Sequence, residues 1–339
     1  MDSVTHIILG AAIGEALLGK RIGRKAALIG ALAKSLPDFD LFYTGLNDPR
    51  LYMCCHRGHT HSLFWESLYA IPLAWLFFAL FRKKIPLKHW LLLFWICLFG
   101  HSLLDTCTNF GTRLFLPFTN HAFNWNTMAI ADVCFTIPML LLWIASLIAP
   151  NASLWRRRLN NSILIYAFSY LGLTLLNKYS ADRITRASLK AQHIPYQQYM
   201  TNPTILNNIL WYGLASNDSM IYIGEFSLLK KNPTIHWLSF PRNRVWLNEH
   251  PDTSDTKMLK WFSKGYDITQ KDGDTLNVYC VKFGRTNMKE KDLEKTFIFH
   301  YKLFRKDNQW QMGMEEPNEG NANLKEGFID LLNRIQGKE

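Results

Sequence analysis

The feature that most constrains this chain is a split near residue 178. The first half carries several apolar runs close to the length of a bilayer crossing, and the second is polar, with Lys, Asp, Glu and Asn spread evenly. The mean hydropathy of −0.06 averages over that boundary and hides it. A spanning helix needs roughly 20 mostly apolar residues. Segments 63–81, 90–104 with its flanks and 128–149 meet or approach this, and 162–176 is slightly short. Segments 4–18 and 26–36 are shorter, but rich in Gly and Ala, which lets helices approach closely; they read as a tight helical pair inserted among the others. The expected fold is mainly α: a polytopic membrane helical bundle over residues 1–178, then an extracytoplasmic α+β domain over 179–339.

A net charge of +11 can signal nucleic acid, but here much of the excess sits in short runs beside apolar segments, the pattern of membrane topology. No nucleic-acid partner is expected. Lys20, Arg21, Arg24, Lys25, Arg82, Lys83, Lys84, Lys88 and Arg156–Arg158 fall in alternate connections, eleven in all; the intervening connections, 37–61 and 107–127, hold only Arg50, Arg57 and Arg113. Basic loops stay in the cytoplasm. The N-terminus and the polar half are then expected outside, in a multi-pass protein of the cell (inner or plasma) membrane. Met1-Asp2-Ser3 lacks the basic stretch of a signal peptide, so the first apolar segment is expected to be retained. The six cysteines show no metal or disulfide spacing; Cys54 and Cys55 form the one vicinal pair.

The polar residues of the apolar half gather on one side of this topology. His6 starts the first helix; Asp38 and Asp40 follow the second; His56, Arg57, His59 and His61 precede the third; His101 and Asp105 end the fourth; Asp132 starts the fifth. His101 and Asp105, four residues apart, share a helix face. His with Asp suits zinc and similar divalent ions, and ionisable groups in membrane segments are costly and usually functional. The candidate ligands are His6, Asp38, Asp40, His56, His61, His101 and Asp105, and Asp38, Asp40 and Arg57 are candidate catalytic groups. Arg57 can grip phosphate oxygens in pairs or bond Asp38 or Asp40. His59, Asp132 and Glu66 are supporting candidates, His59 the first suspected bystander. His89 falls on the opposite side, and His121 stands in a loop.

The set Asp2-x-x-Thr5-His6, Pro37-Asp38-x-Asp40, His56-Arg57-Gly58-x-Thr60-His61-Ser62 and His101-x-x-x-Asp105 resembles the YdjM-like family of membrane-bound metal-dependent hydrolases over about residues 1–150. That family is distantly similar to the zinc-dependent phospholipase C superfamily, which also includes single-strand nucleases. The resemblance implies hydrolysis at a site built from His6, Asp38 or Asp40, His56 or His61, His101 and Asp105. The soluble relatives begin with Trp and use a later His-His-Glu set for a third zinc. This chain has Met1 and no such later set before the polar half, which implies one or two ions.

The polar half reads as a helix from residue 180, strands at 209–215, 220–229, 275–283 and 296–304, a hairpin turn at Asp272-Gly273-Asp274, and helices at 256–263 and 324–335. One antiparallel sheet with a few helices is expected. It shows no catalytic motif, and His236, His250 and His300 stand alone. The leading functional expectation is a divalent-metal hydrolase, with zinc the first ion, acting on a phospholipid or lipid-linked ester or phosphoester at the outer membrane face. The competing ones are an ion- or proton-coupled transporter and a non-catalytic membrane assembly protein.

Overall fold

The computed structural model describes residues 1–44, 48–150, 153–249, 253–285, 293–306, 309–315 and 324–338. The chain divides into two compact units. The first contains α1 (Ser3–Ile22), α2 (Arg24–Ser35), a 3-10 turn (Pro37–Asp40), α3 (Leu41–Thr44), a second 3-10 turn (His59–His61), α5 (Leu63–Leu80), α6 (Leu87–Thr106), α7 (Val133–Ile148) and the first part of a 38-residue helix, α8 (Leu154–Ala191). Most of the short helix α4 (Pro49–Cys55), the rest of α8 and the polar strands belong to the second.

In the first unit, α5, α6 and α8 are long and apolar enough to cross a membrane, and the 20 residues of α6 span about 30 Å. Ile71, Trp75 and Leu80 of α5, Ile137 and Leu141 of α7, and Ile165 and Phe168 of α8 are exposed apolar side chains. Two sequence expectations change. The run 128–149 becomes helix only from Val133, because Asp132 caps it, its carboxylate accepting from the Phe135 amide. The short candidate 162–176 is the middle of α8, which begins at Leu154 and also absorbs the helix expected from residue 180.

Helices α1 and α2 are joined through a single residue, Gly23. They pack so closely that a Cβ built at Gly14 would lie 2.1 Å from the Ala26 carbonyl oxygen, and one at Gly30 would lie 2.1 Å from that of Gly10. Beneath this contact, Leu18, Ala26 and Ile29 pack with Ala70, Ala74, Trp90 and Phe94 of α5 and α6. Ile8 and Leu9 pack with Phe135, Met139 and Ile163 of α7 and α8. The basic residues collect where α1 ends and α2 and α8 begin: Arg24 donates to the Leu147 carbonyl, and Arg156 pairs with Glu15 at 2.7 Å.

The second unit has two four-stranded antiparallel sheets where one was expected. The first is β1 (Gln198–Pro203), β2 (Leu210–Ser216), β3 (Met220–Ser227) and β4 (Leu238–Pro241); the second is β5 (Asp267–Asp272), β6 (Thr275–Cys280), β7 (His300–Lys306) and β8 (Gln309–Glu315), each in sequence order. β1, β4, β5 and β8 escaped sequence reading. β5 and β8 are polar or alternate weakly, and β1 and β4 contain or end on Pro. The hairpin at Gly273–Asp274 and the helix at 324–335 stand where expected. Met200, Leu214 and Ile223 of one sheet share a core with Ile268 and Tyr279 of the other. Helices α9 (Val245–Glu249), α10 (Ser254–Ser263), α11 (Leu293–Thr296) and α12 (Leu324–Ile335) complete the unit. His300 is a core histidine on Asn277 and Tyr279, His236 is exposed, and His250 lies outside the described residues.

Gly14→Ala is expected to lower the stability of the detergent-solubilised protein by about 1–3 kcal/mol, since nothing but backbone can give way. Gly172→Ala in α8, where an added Cβ meets nothing within 4 Å, is expected to leave it level or raise it slightly. Equal melting temperatures for the two variants would contradict the close packing of α1 on α2.

Candidate metal centre

The close approach of α1 and α2 has a chemical consequence at their far end. The Lys34 carbonyl of α2 lies 2.6 Å from Nδ1 of His101 in α6. A carbonyl only accepts, so Nδ1 carries the proton and the Nε2 lone pair points the other way. Nε2 of His61 lies 3.1 Å from it. His61 Nδ1 is likewise turned toward acceptors, Thr60 Oγ1 at 3.0 Å and Asp40 Oδ2 at 3.5 Å. Two imidazole lone pairs face one another, an arrangement that calls for a proton or a cation between them.

Two carboxylates complete the group. Asp38 Oδ1 lies 3.6 Å from His61 Nε2 and 3.3 Å from His101 Nε2; Asp105 Oδ2 lies 3.5 and 3.8 Å from the same atoms. The four ligand atoms all fall within 4.8 Å of one another. Donors at roughly 2.0–2.2 Å from a tetrahedral ion sit about 3.3–3.5 Å apart, close to these separations. Asp105 Oδ2 is buried and makes no hydrogen bond: Arg57 Nε lies 2.8 Å away but out of line for one. Fixed tautomers, four ligand atoms gathered within 4.8 Å and a buried carboxylate oxygen without a hydrogen bond fit a divalent ion, so this buried Asp-His-His-Asp cluster can hold one.

The remaining candidates surround the cluster. Asp40 is fully buried and organises the loop ahead of α5: it accepts from His56 Nδ1 at 2.9 Å, the Arg57 amide at 3.1 Å and Thr60 Oγ1 at 2.8 Å. That places it behind His61, where a carboxylate fixes the orientation of a metal-bound imidazole. His56 is tied to Asp40 and packs edge-on to Phe110. His6 reaches Asp105 through the other oxygen, Nε2 to Oδ1 at 3.1 Å, and stacks on the His101 ring at 3.8 Å. The Met1 nitrogen shares that oxygen at 2.5 Å. Arg57, left-handed at φ +56°, is held by Thr108 Oγ1 at 2.9 Å and lies over Phe110. Glu66 accepts from Ser102 at 2.6 Å, beside His101 in sequence. His59 is exposed against Trp65, Asp132 bonds the Tyr170 hydroxyl at 2.8 Å away from the cluster, His121 is exposed, and His89 contacts Arg21 at the basic end.

Three contributors escaped side-chain reasoning. The Lys34 carbonyl is invisible to it. Thr108, three residues beyond Asp105, and Thr60, inside the histidine run, are legible only as spacing.

Burial pushes the His61 imidazolium toward losing its proton, but the nearby carboxylates of Asp105, Asp38 and Asp40 outweigh it, raising His61 to about 9. Burial raises Asp38 and Asp40, yet the histidines beside them hold both below the ordinary carboxylate range. Below about pH 9 an entering ion therefore displaces the His61 proton. Apparent affinity for a divalent ion is expected to rise up to about tenfold per pH unit between pH 6 and 8 and to level above about 9. Titration calorimetry in buffers of differing ionisation enthalpy should show proton release; affinity that does not change with pH would contradict this.

Residues 1–181 match the family described as YdjM inner membrane protein. Inner membrane protein YbcI of Escherichia coli (strain K12) is 27% identical over 173 residues, covering 46% of this chain and 98% of the relative. No solved structure matches. The match to the first unit takes in every residue of the cluster, and the chain belongs to the YdjM inner membrane protein family.

Proposed function

We propose that the chain is a membrane-bound metal-dependent hydrolase that cleaves an ester or phosphoester of a phospholipid or lipid-linked substrate at the outer membrane face. The observation that carries this reading is the buried gathering of ligand atoms from Asp38, His61, His101 and Asp105 within 4.8 Å of one another. These four would hold the ion, with zinc suited to the mixed nitrogen and oxygen donors. A bound divalent ion supplies Lewis acidity toward a phosphoryl or acyl oxygen.

The side chains divide the remaining work. Asp38 is the one member with appreciable exposure, 17% against at most 1% for the others, so substrate enters past Asp38. A carboxylate at the open side is placed to take a proton from an attacking water. Arg57 stands behind Asp105, fixes its carboxylate and brings positive charge toward the place where a phosphoryl oxygen would lie. Asp40 keeps the His61 proton on Nδ1 and so keeps Nε2 available. Phe39 and Phe42, exposed on the same turn as Asp38 and just after it, suit the membrane interface and favour a substrate presented from lipid. The basic residues at the opposite end of the bundle support the outward orientation of the site.

A transporter reading draws on one observation: Lys34 and Glu66 are buried among α2, α5 and α6, and Glu66 Oε2 lacks a hydrogen bond. Metal flux into proteoliposomes without hydrolysis would favour it.

The test compares Asp105→Asn with Asp132→Asn at matched expression, measuring metal per protein and turnover of a generic phosphodiester. Asn keeps the shape of Asp105 but removes the charge that offsets the ion. Metal retention and rate are expected to fall at least about tenfold in the Asp105 variant and to stay near wild type in the Asp132 variant. Wild-type values for Asp105→Asn would overturn the assignment.

A further inference from the structure

Helix α2 is buried on all sides but one. Of residues 26–34 only Leu28 and Leu32 are exposed, at 61% and 54%. Ala27 and Ala31 pack toward Trp143 of α7, while Ile29 and Ala33 pack into the core shared with α5 and α6. The two leucines therefore floor a seam between neighbouring helices. Arg24 and Lys25, both exposed, stand at its basic end. Lys25, Leu28 and Leu32 are spaced i, i+3, i+7 and share one helix face, a cation followed by about 10 Å of apolar surface. We propose that this seam binds one anionic phospholipid, its phosphate on Arg24 and Lys25 and an acyl chain along Leu28 and Leu32.

Charge selects the occupant. Lys20, Arg21, Arg24 and Lys25 crowd about the single-residue link at Gly23, and all four are exposed. None of them pairs with a carboxylate among the described residues: Glu15, on the same helix as Lys20, is taken by Arg156 at 2.7 Å. Arg24 donates through one nitrogen, Nη2, to the carbonyls of Leu147 at 2.8 Å and Ala149 at 3.4 Å. Carbonyls orient a guanidinium without cancelling its charge, and here they leave Nε and Nη1 to meet phosphate oxygens.

Other occupants satisfy only part of the seam. A free anion would answer the cations and leave the leucines bare. A zwitterionic lipid would cover the leucines but bring its own ammonium to a place already rich in cations. A second copy of the chain, in the same membrane orientation, would set four more uncompensated cations against these four, and like charges opposed across an interface are strongly unfavourable. An anionic phospholipid meets both ends at once, and basic residues beside apolar helices attract such headgroups.

The test is native mass spectrometry of the full chain in detergent micelles, titrated with phosphatidylglycerol or phosphatidylcholine, reading the dissociation constant of the first lipid retained. Phosphatidylglycerol is expected to bind at least about tenfold more tightly. Arg24→Gln and Lys25→Gln should each weaken it about fivefold, the effect of one cation near a headgroup, and Leu28→Ser/Leu32→Ser should weaken it too. Arg82→Gln/Lys83→Gln removes two exposed cations just beyond α5 and should leave the affinity unchanged. If Arg24→Gln does not fold, because its guanidinium also holds the end of α7, Lys25→Gln and the leucine variant still decide the matter. Equal affinity for the two lipids, an unchanged affinity in folded Lys25→Gln, a loss in Arg82→Gln/Lys83→Gln as large as in the seam variants, or a lipid-free dimer that Leu28→Ser/Leu32→Ser disperses would overturn the proposal.

Discussion

Asp105 is a carboxylate buried at the end of a membrane helix, and the surrounding architecture compensates it. An uncompensated ion there would cost several kcal/mol. The Met1 nitrogen and His6 take one oxygen; Arg57, His61 and His101 surround the other. These partners come from the start of α1, the loop before α5 and α6 itself, so a single charge draws together segments a hundred residues apart. Their convergence requires the ends of α1, α2, α5 and α6 to lie at one end of the bundle. It also leaves Asp105 Oδ2 without a hydrogen bond, the feature that separates a cluster able to take an ion from one that is merely satisfied.

Support for the cluster comes from backbone as much as from side chains. His101 is oriented by a carbonyl of α2, and α2 is placed by Gly10, Gly14 and Gly30 against α1. His61 is oriented by Asp40, which also holds His56, Thr60 and the strained Arg57 backbone. A carboxylate that accepts from so many donors is poorly placed to leave them for a metal. This is the physical reason to place Asp38, rather than Asp40, at the ion.

Much of this was legible in the sequence because membranes impose strong rules. Apolar length marked α5, α6 and α7, and small residues marked α1 and α2 as a close pair. The i, i+4 spacing of His101 and Asp105 marked one wall of the cluster. Which of two aspartates and three neighbouring histidines face inward was not legible, since 3-10 turns at Pro37–Asp40 and His59–His61 set those directions and no simple periodicity encodes them. The second unit was less readable. Its core strands β2, β3, β6 and β7 carry the β-branched and aromatic residues that sequence reading detects. Its polar and Pro-bearing strands gain their pairing from neighbours, so two sheets read as one.

The central claim, that the Asp-His-His-Asp cluster is a metal centre, is tested most directly on the purified full chain by elemental analysis together with X-ray absorption at the edge of the metal found. About one or two divalent ions per chain are expected, with nitrogen and oxygen neighbours at roughly 2.0–2.2 Å and with the signal lost in a folded His61→Ala/His101→Ala variant. Only trace metal after reconstitution, sulfur ligation, or an unchanged spectrum in that variant would contradict it.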